Sequence, residues 1–418
     1  MTLRQLSMDG FWGAVLGAES MSGCGSVLHG PGGCRITLSG VSDDCVVRPF
    51  SIREGPFYFT EPRVPCTYLD EEDYINGADY KLTDLLDTVR DIDAVLVVPS
   101  PGTSLIGDDL NGAAYRSGFK GTVTILEENL MSLPFHTGYD AAVALLAGAV
   151  CERSETEDDM VNVLGIPVTM DGWEETVAEL RSYAEAMGLK PVFVGAGCSI
   201  GDLRASSRSR LCVTVLPEYC GRTAEAYAGL GVGTEFLDVP AGFDGTEAWI
   251  RGLAEATGRD PEPAIALLRR RTDRARNILR SAMGAGLRLR CATYSMDFDS
   301  SAVLPLVRWL HSYLAMFPVE IVTKPWWSDG YREELSGFLA SIRSEESLTD
   351  ALVPRRCDVL FACGQTVRLL TKRGTCSMGV DVQMPSMHRL RFVGRPVLGA
   401  DGAMRILDEM FERVERDY

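Results

Sequence analysis

Ala94-Val95-Leu96-Val97-Val98 is a continuous apolar run closed by Pro99-Ser100-Pro101-Gly102, and Asp108-Asp109 then opens a helical pattern. A run with no polar alternation has to be buried on both faces, which is the condition of a strand inside a parallel sheet. The prolines and glycine put a loop at its carboxyl end, and the acidic pair marks the start of a crossover helix. The unit recurs. A strand at 123–126 and an alanine-rich helix at 140–150 complete a first set, and the acidic 151–159 reads as a linker. A second set has strands at 161–165, 191–194 and 211–216 with helices at 173–187 and from Thr223 onward. A third has strands at 287–292, 319–322 and 359–362 with helices at 302–317 and 331–344, and an arginine-rich helix at 263–283 joins it to the second. Alternation throughout predicts an α/β protein built of three Rossmann-like domains, 1–159, 160–284 and 285–418, with mostly parallel sheets flanked by helices.

Ligands of such sheets sit at the carboxyl ends of strands, which directs attention to the loops 99–107, 195–200 and 363–366. Gly195-Ala196-Gly197 is only a fragment of a dinucleotide fingerprint, and the chain carries no P-loop, so any ATP hydrolysis belongs to another protein. Charge narrows the partners further. With 41 Lys and Arg against 58 Asp and Glu the formal net charge is -17, which excludes nucleic acid and anionic membranes as main partners because both need clustered cations. The sequence contains no apolar run of membrane-spanning length and no signal-peptide pattern in its first twenty residues, so the cytoplasm is the expected compartment. The 12 cysteines are dispersed rather than paired as C-x-x-C, so most are expected to be buried thiols. Residues 1–22 carry little intrinsic preference and read as a lead-in; a helix is expected from about residue 35 and a strand near 45–50.

The stretch from Gly23 to Cys34, GCGSVLHGPGGC, concentrates glycines, a proline, two thiols and a histidine. Glycines allow close backbone approach, and thiols with an imidazole suit soft metals and iron–sulfur clusters. A tight turn with Cys24 and Cys34 as small buried hydrophobes accounts for the same residues.

His29-Gly30-Pro31-Gly32-Gly33-Cys34 resembles the His-Gly-Pro-x-Gly-Cys loop of nitrogenase component 1 proteins. Three further segments resemble that family in the same order: the acidic 59–79, Ile106-Gly107-Asp108-Asp109, and Leu398-Gly399-Ala400-Asp401-Gly402-Ala403-Met404, the last closest to β-type subunits. The resemblance implies a nitrogenase-like oxidoreductase subunit. It would relay low-potential electrons from an ATP-hydrolysing iron–sulfur reductase, through an iron–sulfur cluster at a subunit interface, to a bound substrate or cofactor. It also implies a dimer with a homologous subunit or with itself. Cys34 is the first candidate ligand, Cys24 the second because it shares the stretch, and Cys66 the third because its segment is expected beside the interface; Gly30, Pro31 and Gly33 would cradle the cluster. Two of the family's three cluster cysteines are absent, their positions falling near 7–10 and at Pro101, which points away from a large eight-iron cluster and toward a [4Fe-4S] cube with two ligands from each chain. Cys212 and Cys291 are expected in the core, and Cys220 as a buried thiol. His388 lies close to where catalytic subunits of the family carry a cofactor-binding histidine, but its surroundings resemble the β-type subunit, which holds no such cofactor; His136 and His311 read as structural. A scaffold for metal-cofactor assembly and a metal-free Rossmann-type small-molecule binding protein remain as alternatives.

Overall fold

Apolar runs form the central strands of three separate parallel sheets. The computed structural model describes residues 8–33, 64–284, 289–298, 300–323, 328–382 and 393–415. Among these, β1 (Cys24–His29), β2 (Ala94–Pro99) and β3 (Thr122–Ile125) form the first sheet in the order β1-β2-β3. The second contains β4 (Glu157–Leu164), β5 (Lys190–Phe193), β6 (Ser209–Thr214) and β7 (Gly233–Glu235) in the order β5-β4-β6-β7. The third contains β8 (Thr293–Phe298), β9 (Phe317–Thr323), β10 (Leu348–Thr349), β11 (Cys357–Ala362) and β12 (Cys376–Asp381) in the order β10-β9-β8-β11-β12. Every pairing between these strands is parallel, as double-sided burial of the runs requires. The order reverses beside β4 in the second sheet and beside β8 in the third, so each has a crevice at its carboxyl edge. One apolar core runs through all three units. None of the described helices is long and apolar enough to cross a membrane.

Three expectations are corrected. The Gly23–Cys34 stretch is not a continuous loop: Cys24–His29 is an edge strand buried at every residue and paired with β2. The strand expected at 287–292 begins instead at Thr293. Cys291 has φ 62 and breaks the extended backbone before it, and the strand that follows alternates Tyr294, Met296 and Phe298 with Ser295 and Asp297. The acidic segment expected as a linker contributes its last residues, from Glu157, to β4. The helix expected from residue 35 and the strand near 45–50 lie outside the described residues.

The expected lead-in holds a helix, Gly10–Glu19, whose amino end is capped by the Asp9 carboxylate accepting from Phe11 N at 3.1 Å and Trp12 N at 3.4 Å. Glycine is a poor helix former, but here it sets the packing. Gly10, Gly13 and Gly17 lie against the helix Phe135–Val150, and a Cβ on Gly13 would stand 2.0 Å from the Phe135 carbonyl oxygen. The two backbones meet with no side chain between them. At the other end of the chain, the motif 398–404 starts the helix Gly399–Glu415. Its first amides donate to the buried Glu179 carboxylate, Ala400 N at 2.8 Å and Asp401 N at 3.1 Å, and Tyr183 Oη donates to the same group at 2.7 Å. Gly399 has φ 78 and a Cβ there would meet Glu179 Oε2 at 2.2 Å, so the motif's glycine leaves room for an acid that caps a helix from a distant element. This part of the resemblance therefore has a structural cause.

Candidate functional site at the carboxyl end of the first sheet

β1 ends at His29 and releases the chain into Gly30-Pro31-Gly32-Gly33. Residues 65–69 run alongside as an extension of the sheet edge. Leu28 N donates to Pro65 O at 2.8 Å, Thr67 N to Leu28 O at 3.1 Å, and Leu69 N to Gly30 O at 3.0 Å. This pairing delivers Cys66 onto the glycine loop: its Sγ donates to Gly30 O at 3.1 Å and accepts from Tyr68 N at 3.4 Å. Thr67 Oγ1 accepts from Gly30 N at 3.0 Å. Tyr68 holds φ 54, a left-handed conformation that is costly for an aromatic residue and concentrates at functional sites.

The glycines are needed for approach. A Cβ on Gly30 would lie 2.6 Å from Ser100 Cβ, and one on Gly32 2.8 Å from the Tyr68 ring; beside Gly33 the space is open. Three large apolar side chains of the segments around this site are exposed, Tyr68 at 47%, Ile75 at 81% and Leu105 at 88%.

Below the loop, His29 is completely buried. Its Nε2 lies 3.0 Å from Asp108 Oδ2, and the other Asp108 oxygen accepts from Ala78 N at 2.8 Å. Burial lowers the His29 pKa despite the opposing pull of Asp108. A hydrogen bond from Nε2 to that carboxylate leaves Nδ1, which has no hydrogen-bond partner. Asp108 thus joins three of the four segments on which the resemblance rests: His-Gly-Pro-x-Gly-Cys through His29, the acidic stretch through its last turn, and Ile-Gly-Asp-Asp through itself. Neighbouring Asp109 has a local task, accepting from Gly112 N at 2.8 Å as the cap of the helix Leu110–Arg116. Asp108→Ala should therefore cost about 2–4 kcal/mol, because two buried donors lose their acceptor, whereas Asp109→Ala should cost about 1 kcal/mol as a lost cap. Urea midpoints of the two variants measure this, and equal midpoints would refute the central place of Asp108.

The structure brings Cys66 onto Gly30 but keeps Cys24 apart, and a Cβ on Gly33 would meet nothing within 4 Å. Cys24 pairs with Ala94 at the amino end of β1 and is fully buried. Five strand steps of roughly 3.3 Å put it about 16 Å from the loop, too far to share a cluster with Cys66. Cys34 and His388 lie outside the described residues. Cys212 is buried in β6 as expected, but Cys291 is exposed on its turn. Cys220 is buried, bonds to Leu216 O at 3.5 Å, and has its thiol pKa pushed up by that burial, the state of an inert thiol. Among the described residues no three His, Cys, Asp or Glu side chains converge to hold a metal ion. Sequence reasoning placed Thr67 within the segment 59–79 and Ser100 within the loop 99–107 without giving either a role; their contacts with Gly30 come from the pairing of 65–69 with β1 and the passage of Gly30 over β2.

The sequence profile of the nitrogenase component 1 type oxidoreductases matches residues 10–415. The chain belongs to that family. Light-independent protochlorophyllide reductase subunit N of Rhodopseudomonas palustris strain TIE-1 is 27% identical over 309 residues, spanning 71% of this chain and 68% of that protein. A different subunit of light-independent protochlorophyllide reductase, from Chloroflexus aggregans strain MD-66 / DSM 9485, is 26% identical over 423 residues, spanning 94% of this chain and 73% of that protein. A solved nitrogenase Cp1 structure at pH 6.5 superposes with a TM-score of 0.79 over 100% of this chain and 95% of that one, at 16% identity. This component 1-type chain is accordingly a nitrogenase-like oxidoreductase with the three-sheet fold expected from its alternating pattern.

Proposed function

We propose that this chain is one subunit of a nitrogenase-like reductase that pairs through the face around Gly30–Gly33 and holds an iron–sulfur cluster there, a [4Fe-4S] cube ligated by Cys34 and Cys66 together with two thiolates of the paired subunit. The observation that carries this reading is the delivery of Cys66 Sγ to 3.1 Å from the Gly30 carbonyl, on the loop that leads into Cys34. Tyr68, beside the glycine loop, is exposed, as suits a face covered by a second chain. Members of the family bind iron–sulfur clusters and work as heterotetramers with a separate reductase component; here the reductase would be the ATP-hydrolysing partner, since this chain has no P-loop.

The cluster, when bound, supplies one-electron transfer at low potential. The chain's own residues set its surroundings. Gly30 and Gly32 let the backbone close in without side chains, Tyr68 N–H is aimed at the Cys66 sulfur, and the His29–Asp108 pair fixes the loop's root from beneath without adding a net positive charge. Hydrogen bonds to a ligating sulfur and restricted solvent access are the means by which a protein tunes such a group.

Anaerobic purification tests the reading. Iron and sulfide analysis, visible absorbance and light scattering should give about four irons per subunit pair and a dimer or larger assembly. An iron-free protein after reconstitution, or a cluster-loaded monomer, would rule it out. Iron with no turnover in the presence of a cognate reductase and ATP would point to the cofactor-assembly scaffold instead.

A further inference from the structure

Asp140 and Glu179 are buried acids that each hold the start of a distant helix with both oxygens. Asp140 accepts from Arg222 N at 2.7 Å, Thr223 N at 2.9 Å and Thr223 Oγ1 at 2.7 Å, and Glu179 takes the two amides of the Gly399–Glu415 helix described above. Glu218 has the same task and performs it incompletely. It follows the carboxyl end of β6, and its Oε1 accepts from Ser301 N at 3.3 Å and Ser301 Oγ at 2.6 Å, in the first turn of the helix Ser300–Leu314 that follows β8. Its Oε2 is buried without a hydrogen-bond partner. A bare buried carboxyl oxygen costs free energy, so this tie between the second and third sheets is weaker than the other two. The turn that Glu218 holds is also poorly joined to its own helix. Pro305 lies inside Ser300–Leu314 and has no N–H to offer the Ser301 carbonyl. Leu304 N donates to Tyr331 Oη at 2.9 Å, a side chain of the helix Asp329–Ser341. Past the proline the helix is anchored. Trp309 is buried with its ring edge-on to Phe243, centroids 5.6 Å apart, and a Cβ on Gly242 would stand 2.7 Å from Trp309 Cγ. A cavity of about 820 Å³ adjoins the turn, with Pro217, Ser301, Leu304, Pro305, Ala248 and Gly252 in its lining, so the turn lacks close packing on that side.

We propose that the first turn of this helix, residues 300–304, is a gate hinged at Pro305 and latched by Glu218 and Tyr331, which opens as a unit while the helix body from Leu306 to Leu314 stays packed. Segments that move in a fold are those with few buried contacts and side chains, rather than a continuous ladder, holding their amides. The gate stands at the carboxyl end of β8, beside which the strand order of the third sheet reverses, the position of a ligand crevice in such sheets. Opening joins the cavity to that crevice and gives a small molecule a way in between the second and third sheets. The inference is independent of the cluster proposed at the first sheet.

Hydrogen exchange of the full-length protein, read by mass spectrometry with residue-resolving fragmentation, tests it through three variants. Ser301→Ala removes the stronger bond to Glu218, Tyr331→Phe removes the acceptor of Leu304 N, and Pro305→Ala restores an N–H to the Ser301 carbonyl. Because the turn moves as one, each latch variant should speed the amides it does not touch. Ser301→Ala should raise exchange at Leu304, and Tyr331→Phe at Ser301, by about fivefold or more. Pro305→Ala should slow exchange across residues 301–304 by a similar factor, an opposite sign that a merely misfolded variant could not produce. The amides of Val307 to Leu310 should change little in all three. The proposal is overturned if each latch variant affects only its own bonded amide, which is ordinary fraying, if Pro305→Ala fails to slow the turn, or if Val307 to Leu310 speed up as much as the turn does, which is opening of the whole helix.

Discussion

Cys34→Ala and Cys66→Ala, purified without oxygen, should each lose most of the iron and the visible absorbance of the parent, while Cys24→Ala and Cys212→Ala retain both. Removing one of four thiolates takes away a metal bond and opens the cluster to solvent. The fold should survive, since Cys66 contributes two sulfur hydrogen bonds, to Gly30 O and from Tyr68 N, and their loss costs about 1–2 kcal/mol. Cys24 is the informative control. It shares the glycine-rich stretch with Cys34, so a reading from sequence proximity groups them, yet β1 holds it at the far end of the sheet. Its replacement should act only as a small core truncation. Circular dichroism of all four variants checks folding. Full iron in Cys66→Ala would sever the link between the 65–69 segment and the cluster, and full iron in Cys34→Ala would remove the cluster assignment at its root.

Gly138→Ala should destabilise the protein by about 3 kcal/mol or more, and Gly148→Ala, ten residues along the same helix, should stabilise it by about 0.5–1 kcal/mol. The two substitutions make the same chemical change in the same helix. Their difference lies in what the new methyl meets. At Gly138 a Cβ would fall 1.7 Å from the carbonyl oxygen of Gly10 and 2.5 Å from its carbon, both backbone atoms of the Gly10–Glu19 helix, whereas beside Gly148 nothing lies within 4 Å. Backbone cannot rotate aside, so the helices must separate and the contacts of Ala14, Ala18 and Ala142, all buried between them, loosen together. At Gly148 only the lower conformational entropy of the unfolded alanine chain and its better helix propensity remain. Urea midpoints should move in opposite directions. Two midpoints that both rise, or both barely change, would show that the helix pair tolerates the spacing a methyl demands.

The architecture was legible because its signal is local. Runs such as 94–98 and 359–362 have no polar residue to present to water, so they can only be central strands of parallel sheets, and the crossover helices follow from chain connectivity. The strands at 24–29 and 293–298 gave the opposite impression, one from its glycines and the other from its polar alternation. Each is held in its sheet by neighbours that no local window contains, β2 in the first case and β9 and β11 in the second. The helix at 10–19 went unread for the same reason, since its glycines are unfavourable in isolation and gain their value only against the helix 135–150.

By itself, the sequence determined the α/β class, the three sheets, the family through four ordered segments, and the thiols and glycines available near the amino end. These follow from residue type and spacing along the chain. Tertiary structure decided which of them meet. It separated Cys24 from the glycine loop by the length of a strand and brought Cys66 onto it by edge pairing. It also gathered His29, Ala78 and Asp108 at one carboxylate. Asp108 and Asp109 are identical and adjacent in sequence, yet one joins three segments and the other caps its own helix. Only the direction each side chain takes from the backbone distinguishes them, and that direction is set by packing between elements far apart in the chain.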